Sequence, residues 1–266
     1  MSNTQIAIAA LLFVAGGGIV ALAFFLRERL GMGDRRRMHG YRDVYEPLFA
    51  DLWSDEMHRR LTALFVAQRI AKSKSAARGL ANVLTSFIRR RLAHAPGREN
   101  ESFEDVRLAL TILGTKPVRQ AQAESGQNID LSAVHFRAAA LYGVNLQGFR
   151  LVQCNFDGCQ LASARLMGAD LSGASLKGAD FHRADLRNAD FSEADLSDAD
   201  FTRARVMGAR FTNANISGAI LAEAAGLTQE QLDHAFGDSG TAVPEKLRFV
   251  PGRSLRLRNA APPADA

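Results

Sequence analysis

The sequence predicts a mainly β chain, a coil with four short sides per turn, preceded by a small all-α module and an N-terminal transmembrane helix. Three observations carry this reading. From 131 to 221 every fifth residue is Leu, Phe, Val or Ile, nineteen positions without a miss. Residues 41–113 instead space their apolar side chains near the helical period. Ile6 to Leu26, IAIAALLFVAGGGIVALAFFL, is 21 residues without a charge.

The apolar run comes first in the chain. At roughly 1.5 Å per residue a helix of that length reaches about 31 Å, enough for a hydrocarbon core. A signal peptide would need a basic leader and a small-residue cleavage site. MSNTQ has no Lys or Arg, and the run ends in FFLRERL, so an uncleaved anchor is expected. Residues 27–42 carry Arg27, Arg29, Arg35, Arg36, Arg37 and Arg42 against Glu28 and Asp34. The positive-inside rule then places everything after Leu26 in the cytoplasm, which for a bacterial chain means a single-pass inner-membrane protein. Arg27, Arg29, Arg35, Arg36 and Arg37 are candidate contacts for anionic lipid, at about 1 kcal/mol each when close to the surface. A plain topology signal is the alternative. Gly17 and Ala21 form one small-xxx-small pair, a weak pointer to pairing of anchors.

Charge follows the same division. The formal net charge is +5, but residues 27–127 hold 19 Lys/Arg against 12 Asp/Glu, whereas residues 129–221 hold 9 against 10. The basic excess therefore belongs to the part nearest the membrane segment, and nucleic acid is not an expected partner of the repeats.

A helical module is expected over 41–114. Its first helix begins at Ser54 as N-cap, with Asp55 and Glu56 in the first turn. Leu61, Leu64, Phe65, Gln68 and Ala71 form its inward stripe, flanked by Met57 and Ile70. A second helix starts near Ser75, carries Leu80, Val83, Leu84, Phe87 and Ile88, and ends in Arg89, Arg90 and Arg91. APGREN at 95–100 interrupts the pattern, and FEDVRLALTILG forms a shorter helix ending at Gly114. Leu61, Phe65, Val83, Phe87, Leu108 and Leu110 are the expected core. The arginine triplet reads as a solvated, dipole-matched helix end or as a binding patch. Residues 115–128, TKPVRQAQAESGQN, read as a linker.

Period five then needs its own solution. An α-helix would rotate successive large residues by about 140 degrees and smear them round every face. A flat strand would alternate them between two faces. Only a chain that turns a corner in every pentad keeps them all inside. Four sides of five close a coil of twenty residues, stacked at roughly the 4.8 Å inter-strand spacing. The residue two before each large one also points inward, and there the interior has space only for a small side chain. From Cys154 to Ala219 that site is Cys twice and then Ala twelve times. Ile129, Val134, Val144 and Phe149 occupy it earlier.

ADLSG, ADFHR, ADLRN, ADFSE, ADLSD, ADFTR and ANISG, within Gly168 to Ala219, resemble the A(D/N)LXX pattern of the pentapeptide-repeat family. The resemblance implies a right-handed quadrilateral β-helix at 129–223, with Leu171, Leu176, Phe181, Leu186, Phe191, Leu196 and Phe201 in its core. SDEMHRRLTALFVAQRIA and DVRLALTILG resemble the helical region of membrane-anchored bacterial members. GLTQEQLDHAFGDSGTAVPEKL resembles their C-terminal cap, placed at 224–250, and Thr228 with Gln231 fits a capping box. Residues 251–266 read as a flexible tail.

No shared catalytic activity is implied for this branch, and the sequence holds no GxxxxGK[ST], GxGxxG after a strand, or HExxH. No cofactor, metal or catalytic residue is expected. His135 and His182 lack Cys or Glu at ligand spacing. Cys154 and Cys159 replace Ala as packing residues. Outward residues twenty apart should stack as Arg165–Asp185–Arg205, Asp170–Asp190–Arg210 and Asp180–Asp200. The aspartates bind corner backbone, or else form an acidic strip that holds a cation or imitates nucleic acid. The expected function is a membrane-tethered, non-catalytic scaffold for an unidentified protein partner. The alternative is a DNA-mimicking, topoisomerase-binding role, as in part of the family.

Overall fold

A computed structural model describes residues 50–72, 74–93 and 103–251. The segment 6–26 and Arg27, Arg29, Arg35, Arg36 and Arg37 lie outside these residues, as does nearly all of the tail. Among the described residues no helix is long and apolar enough to cross a membrane. The chain divides into two compact units, Met1–Lys72 and Ser73–Ala266.

Within the first unit, helix α1 spans Met57–Ile70. It begins later than the Ser54 cap implied. Glu56 holds the N-cap position, and Ser54 Oγ accepts the Glu56 N–H at 3.1 Å. The buried side is Arg60, Ala63, Leu64 and Ala67, continued by Ala71, while Phe65 is 58% exposed. The inward face is thus turned by about a quarter from the Leu61–Phe65 stripe, counting 100° per residue. Alanines permit close approach, and Arg60 satisfies its charge on carbonyls ahead of the helix. Its guanidinium donates to Ser54 O at 3.0 Å and Asp55 O at 2.7 Å.

The second unit opens with α2 (Lys74–Ala93), α3 (Glu104–Leu113) and α4 (Lys116–Glu124). Helix α2 packs against both α3 and α4 through a side containing Leu80, Leu84, Phe87 and Ile88, all buried. Leu110 and Val83 join this core as expected, whereas Leu108 is half-buried. The proposed linker is corrected by α4. Thr115 is extended before the helix and Pro117 sits in its first turn, where the missing N–H costs nothing. Val118 and Ala121 are buried. Two buried apolar residues among mostly polar ones give no readable period, so packing on α2 stabilises this helix.

The coil follows without a break. All nineteen large residues from Leu131 to Leu221 are at most 3% exposed, and Leu171, Leu176, Phe181, Leu186, Phe191, Leu196 and Phe201 are at 0%. Parallel bridges link residues twenty apart, from Asp130↔Arg150 to Arg205↔Ala225, which gives four sides per turn. From Phe136 onward the corners close by a return bond, as in Ala184 N–H to Phe181 O at 2.9 Å, and from Ala133 to Gly218 the third residue is left-handed. Ten such positions are not glycine, among them Arg183 (φ 57°), Glu193 (62°) and Arg203 (59°). Inside, Phe181 stacks on Phe201 at 5.1 Å and Phe191 on Phe211 at 5.4 Å. The two columns meet edge to face at 6.1 to 6.2 Å. Ile129, Val134, Val144 and Phe149 are buried at 5% or less, and the bridging is regular from Asp130 onward. Ile129, Val134 and Val144 have a neighbouring coil on one side only, so bulk there has somewhere to go.

Both ends are closed. At the start, Gly114 lies so near the coil that a Cβ would stand 2.2 Å from Asn145 O, and Asn145 Nδ2 donates to Gly114 O at 2.8 Å. At the finish, residues 225–242 form an incomplete further coil. Asn215 bridges Phe236 and Ile220 bridges Ala242, with α5 (Gln229–Asp233) replacing one side. The Thr228–Gln231 capping box is present, and Gln231 Nε2 also donates to Val206 O.

Candidate interaction surface

With the interior filled, any chemistry must lie on the outward positions, and the backbone uses most of them first. The residue before the large one is Asp or Asn at ten of the nineteen positions. Asp170, Asp180, Asp190, Asp195 and Asp200 each accept the N–H of the residue two further on, at 2.8 to 3.1 Å. Asn155 and Asn215 do the same. No backbone carbonyl accepts these N–H groups, so the Asx side chain supplies their partner. Asp180 stacks directly over Asp200, yet each is committed to its own corner. Of the two readings of the acidic strip, the corner-binding one describes these residues.

Four cations shape the carboxylates further. The Arg187 fork holds Asp185 below the ordinary carboxylate range; burial opposes this, and the Arg187 N–H and the charges of Arg187 and Arg205 add to it. At Asp190 and Asp195 burial raises the pKa, but hydrogen bonds from Ser192 and Ser197, helped by Arg210 and Lys177, outweigh it and leave both lowered.

The stacked columns fall as expected: Arg165–Asp185–Arg205, Asp170–Asp190–Arg210 and Asp180–Asp200 are each in bridge register. Their distribution round the coil is unequal. The side bearing Arg165, Asp185 and Arg205, with its two flanking corners, holds five arginines (165, 183, 187, 203 and 205) against Asp185 and Glu223. The other sides, from 129 to 221, hold nine carboxylates against four cations. The neutral total hides this division.

The arginine triplet proves structural at two of its positions. Arg89 donates from Nη1 to Ser132 O at 2.8 Å and from Nη2 to Asp130 O at 3.1 Å. In later coils those two carbonyls accept the N–H groups of the coil before, as Arg150 O and Val152 O do from Leu131 and Ala133. The guanidinium fork thus stands in for a missing coil. Arg91 Nε pairs with fully buried Asp105 at 3.2 Å. Sequence reasoning missed both roles, because a charge run looks alike whether it faces water or a carbonyl row.

Cys154 and Cys159 occupy the small inward site, donate weakly to Leu131 O and Phe136 O, and burial pushes both thiols up to about 12. They are packing residues. His135 and His182 stand on different columns, and no group of His, Cys, Asp and Glu among the described residues could hold a metal ion.

Residues 135–173, 164–203 and 189–224 match the family described as pentapeptide repeats. Among solved structures, a pentapeptide repeat protein from Nostoc Pcc 7120 is 23% identical, over 50% of this chain and 88% of its own, with a TM-score of 0.30. A pentapeptide repeat protein from the Arabidopsis thaliana thylakoid lumen is 30% identical over 44% and 80%, with a TM-score of 0.16. A plasmid-mediated fluoroquinolone resistance protein, QnrB1, is 18% identical over 46% and 58%, with a TM-score of 0.31. The chain covers 58% of that trypsin-treated QnrB1 chain and 74% of the full-length one. No curated protein matches the chain.

Proposed function

We propose that this pentapeptide-repeat protein is a non-catalytic interaction scaffold, held at the bacterial inner membrane by residues 6–26 with everything after Leu26 in the cytoplasm. The observation that carries the scaffold reading is the filled interior: nineteen large residues at 3% exposure or less leave side faces, rather than a cavity, to meet a ligand. The charge-free run and the arginines that follow it support the tether. Protease added to intact spheroplasts tests the topology, and digestion of the C-terminal part from outside would refute it. Cross-linking in membranes followed by identification of the adducts tests the scaffold. A reproducible protein adduct is expected, and only lipid or self adducts would count against it.

A second reading rests on Asp180 over Asp200 and the surplus of carboxylates on three sides. These charges favour a DNA-imitating, topoisomerase-binding role. The detergent-solubilised chain in a gyrase supercoiling assay decides it. No change at micromolar protein ends that reading and leaves the scaffold standing.

A further inference from the structure

The five-arginine side has a composition that the other three lack. Arg165 and Arg205 project from one column of the coil, in bridge register with Asp185 between them. Arg183 and Arg203 stand at the corner that leads onto this side, twenty residues and therefore one coil apart. All four are exposed. Asp185 is already held by the Arg187 fork, with Arg205 only at 3.8 Å, and Arg203 has Glu223. Positive charge therefore remains in excess. Its reach is visible at the start of the coil, where burial and, second, the charge of Arg165 lower the pKa of Arg119. The opposite corner of the same side carries Met167 and Met207, one above and one below Arg187, and Met207 is 58% exposed.

We propose that this side of the coil lies against the anionic headgroups of a phospholipid membrane, with Arg165, Arg183, Arg203 and Arg205 on phosphates and Met207 at the interface. Arginines that keep water-facing forks while an unbranched apolar side chain stands beside them suit a surface that is charged outside and greasy beneath. A lipid surface fits better than an acidic protein because the same chain supplies a charge-free run and a second arginine cluster, Arg27 to Arg37, before the coil. The inference rests on the tether reading, and it assigns the three carboxylate-rich sides to the protein partner.

The test uses the full chain in nanodiscs of phosphatidylcholine, with or without phosphatidylglycerol. The two native thiols are buried, so Met207→Cys and, at the diagonally opposite corner, Lys177→Cys can each be labelled alone. A headgroup nitroxide should quench the label at 207 about threefold more than at 177, only with the anionic lipid. The difference should vanish in 0.5 M salt or in the Arg165→Glu/Arg183→Glu/Arg205→Glu variant. Equal quenching at both positions, quenching indifferent to lipid charge, or protection that grows with protein concentration and so reports a second copy, would each overturn the proposal. Extraction of the chain by alkaline carbonate would refute the tether alone. Sedimentation with free vesicles then tests the side by itself. Roughly a hundredfold weaker binding of the triple variant to phosphatidylglycerol supports it, and binding equal to that of the parent chain overturns it. An unchanged urea midpoint shows that the variant is folded; should it not be, the salt arm carries the test.

Discussion

The first and last coils pose opposite problems to the chain. Each side of the first coil turns two carbonyls and one N–H toward the start, because the coil that would pair with them is absent. Each side of the last turns two N–H groups and one carbonyl toward the finish. The start is met by a cation on a separate helix, the Arg89 fork over Asp130 O and Ser132 O. The finish is met mainly by backbone: Ala225, His234, Phe236 and Ala242 offer carbonyls to Val206, Asn213, Ile216 and Leu221, and Ala225, Phe236 and Ala242 each return an N–H. Donor-rich side chains suit a carbonyl surplus, and a continuing chain suits an N–H surplus. Orphaned groups at either edge would otherwise invite another chain to pair there.

The comparison can be broken most severely at the finish. Deleting residues 225–251 uncovers the whole N–H surplus, and the truncated chain should run as soluble aggregate in size-exclusion chromatography rather than as the parent species. Next in size, Arg91→Met leaves Asp105 buried beneath the helix that carries Arg89. Breaking such a pair costs about 3–5 kcal/mol, measured by urea denaturation, and Asp105→Leu in the same chain should recover much of it. Arg89→Ala removes two charge-assisted bonds at a half-exposed site, a loss of about 1–2 kcal/mol. Arg89→Lys should recover less than half, since one ammonium cannot span both carbonyls. Glu193→Gly tests the middle of the coil, where neither closure reaches. It relieves a left-handed corner at φ 62° and should stabilise by about 1 kcal/mol, with no dependence on Arg89.

The smallest effect per group is the response to acid. Asp130, Asp185, Asp190 and Asp195 all sit below their ordinary pKa in the folded chain. Their contribution is whole above about pH 4 and is lost as pH falls through the lower folded values. The urea midpoint should therefore hold between pH 7 and pH 5 and fall below pH 4. A midpoint indifferent to acid would mean that the corner bonds add nothing to stability.

How much of this was legible varies with the kind of regularity. Leu131 to Leu221 announces the coil because one environment repeats nineteen times, and the outward columns follow from the arithmetic of twenty. The Thr228–Gln231 box was equally readable, being local. Helix α4 was not, because Val118 and Ala121 acquire meaning only against α2. The inward face of α1 was misjudged because Phe65 outranks Ala63 and Ala67 in hydrophobicity, yet the alanines are the ones buried. At the surface, the arginine-rich side was hidden by a nearly neutral sum. Only the register, which sets Arg165 and Arg205 one above and one below Asp185 and both corners of that side beside them, separates it from the rest.

The twenty-residue repeat of the bridges also makes the coil behave as both a ruler and a dial. Inserting four pentads between Ala199 and Ala204 would add one layer of roughly 4.8 Å and leave every later side chain on its original compass bearing. Inserting a single pentad would swing everything beyond it through a quarter circle, moving Arg205 and Met207 out of line with Arg165 and Met167. Natural length changes in this segment should therefore come in multiples of twenty wherever one bearing must stay continuous, and in other multiples of five only where it need not.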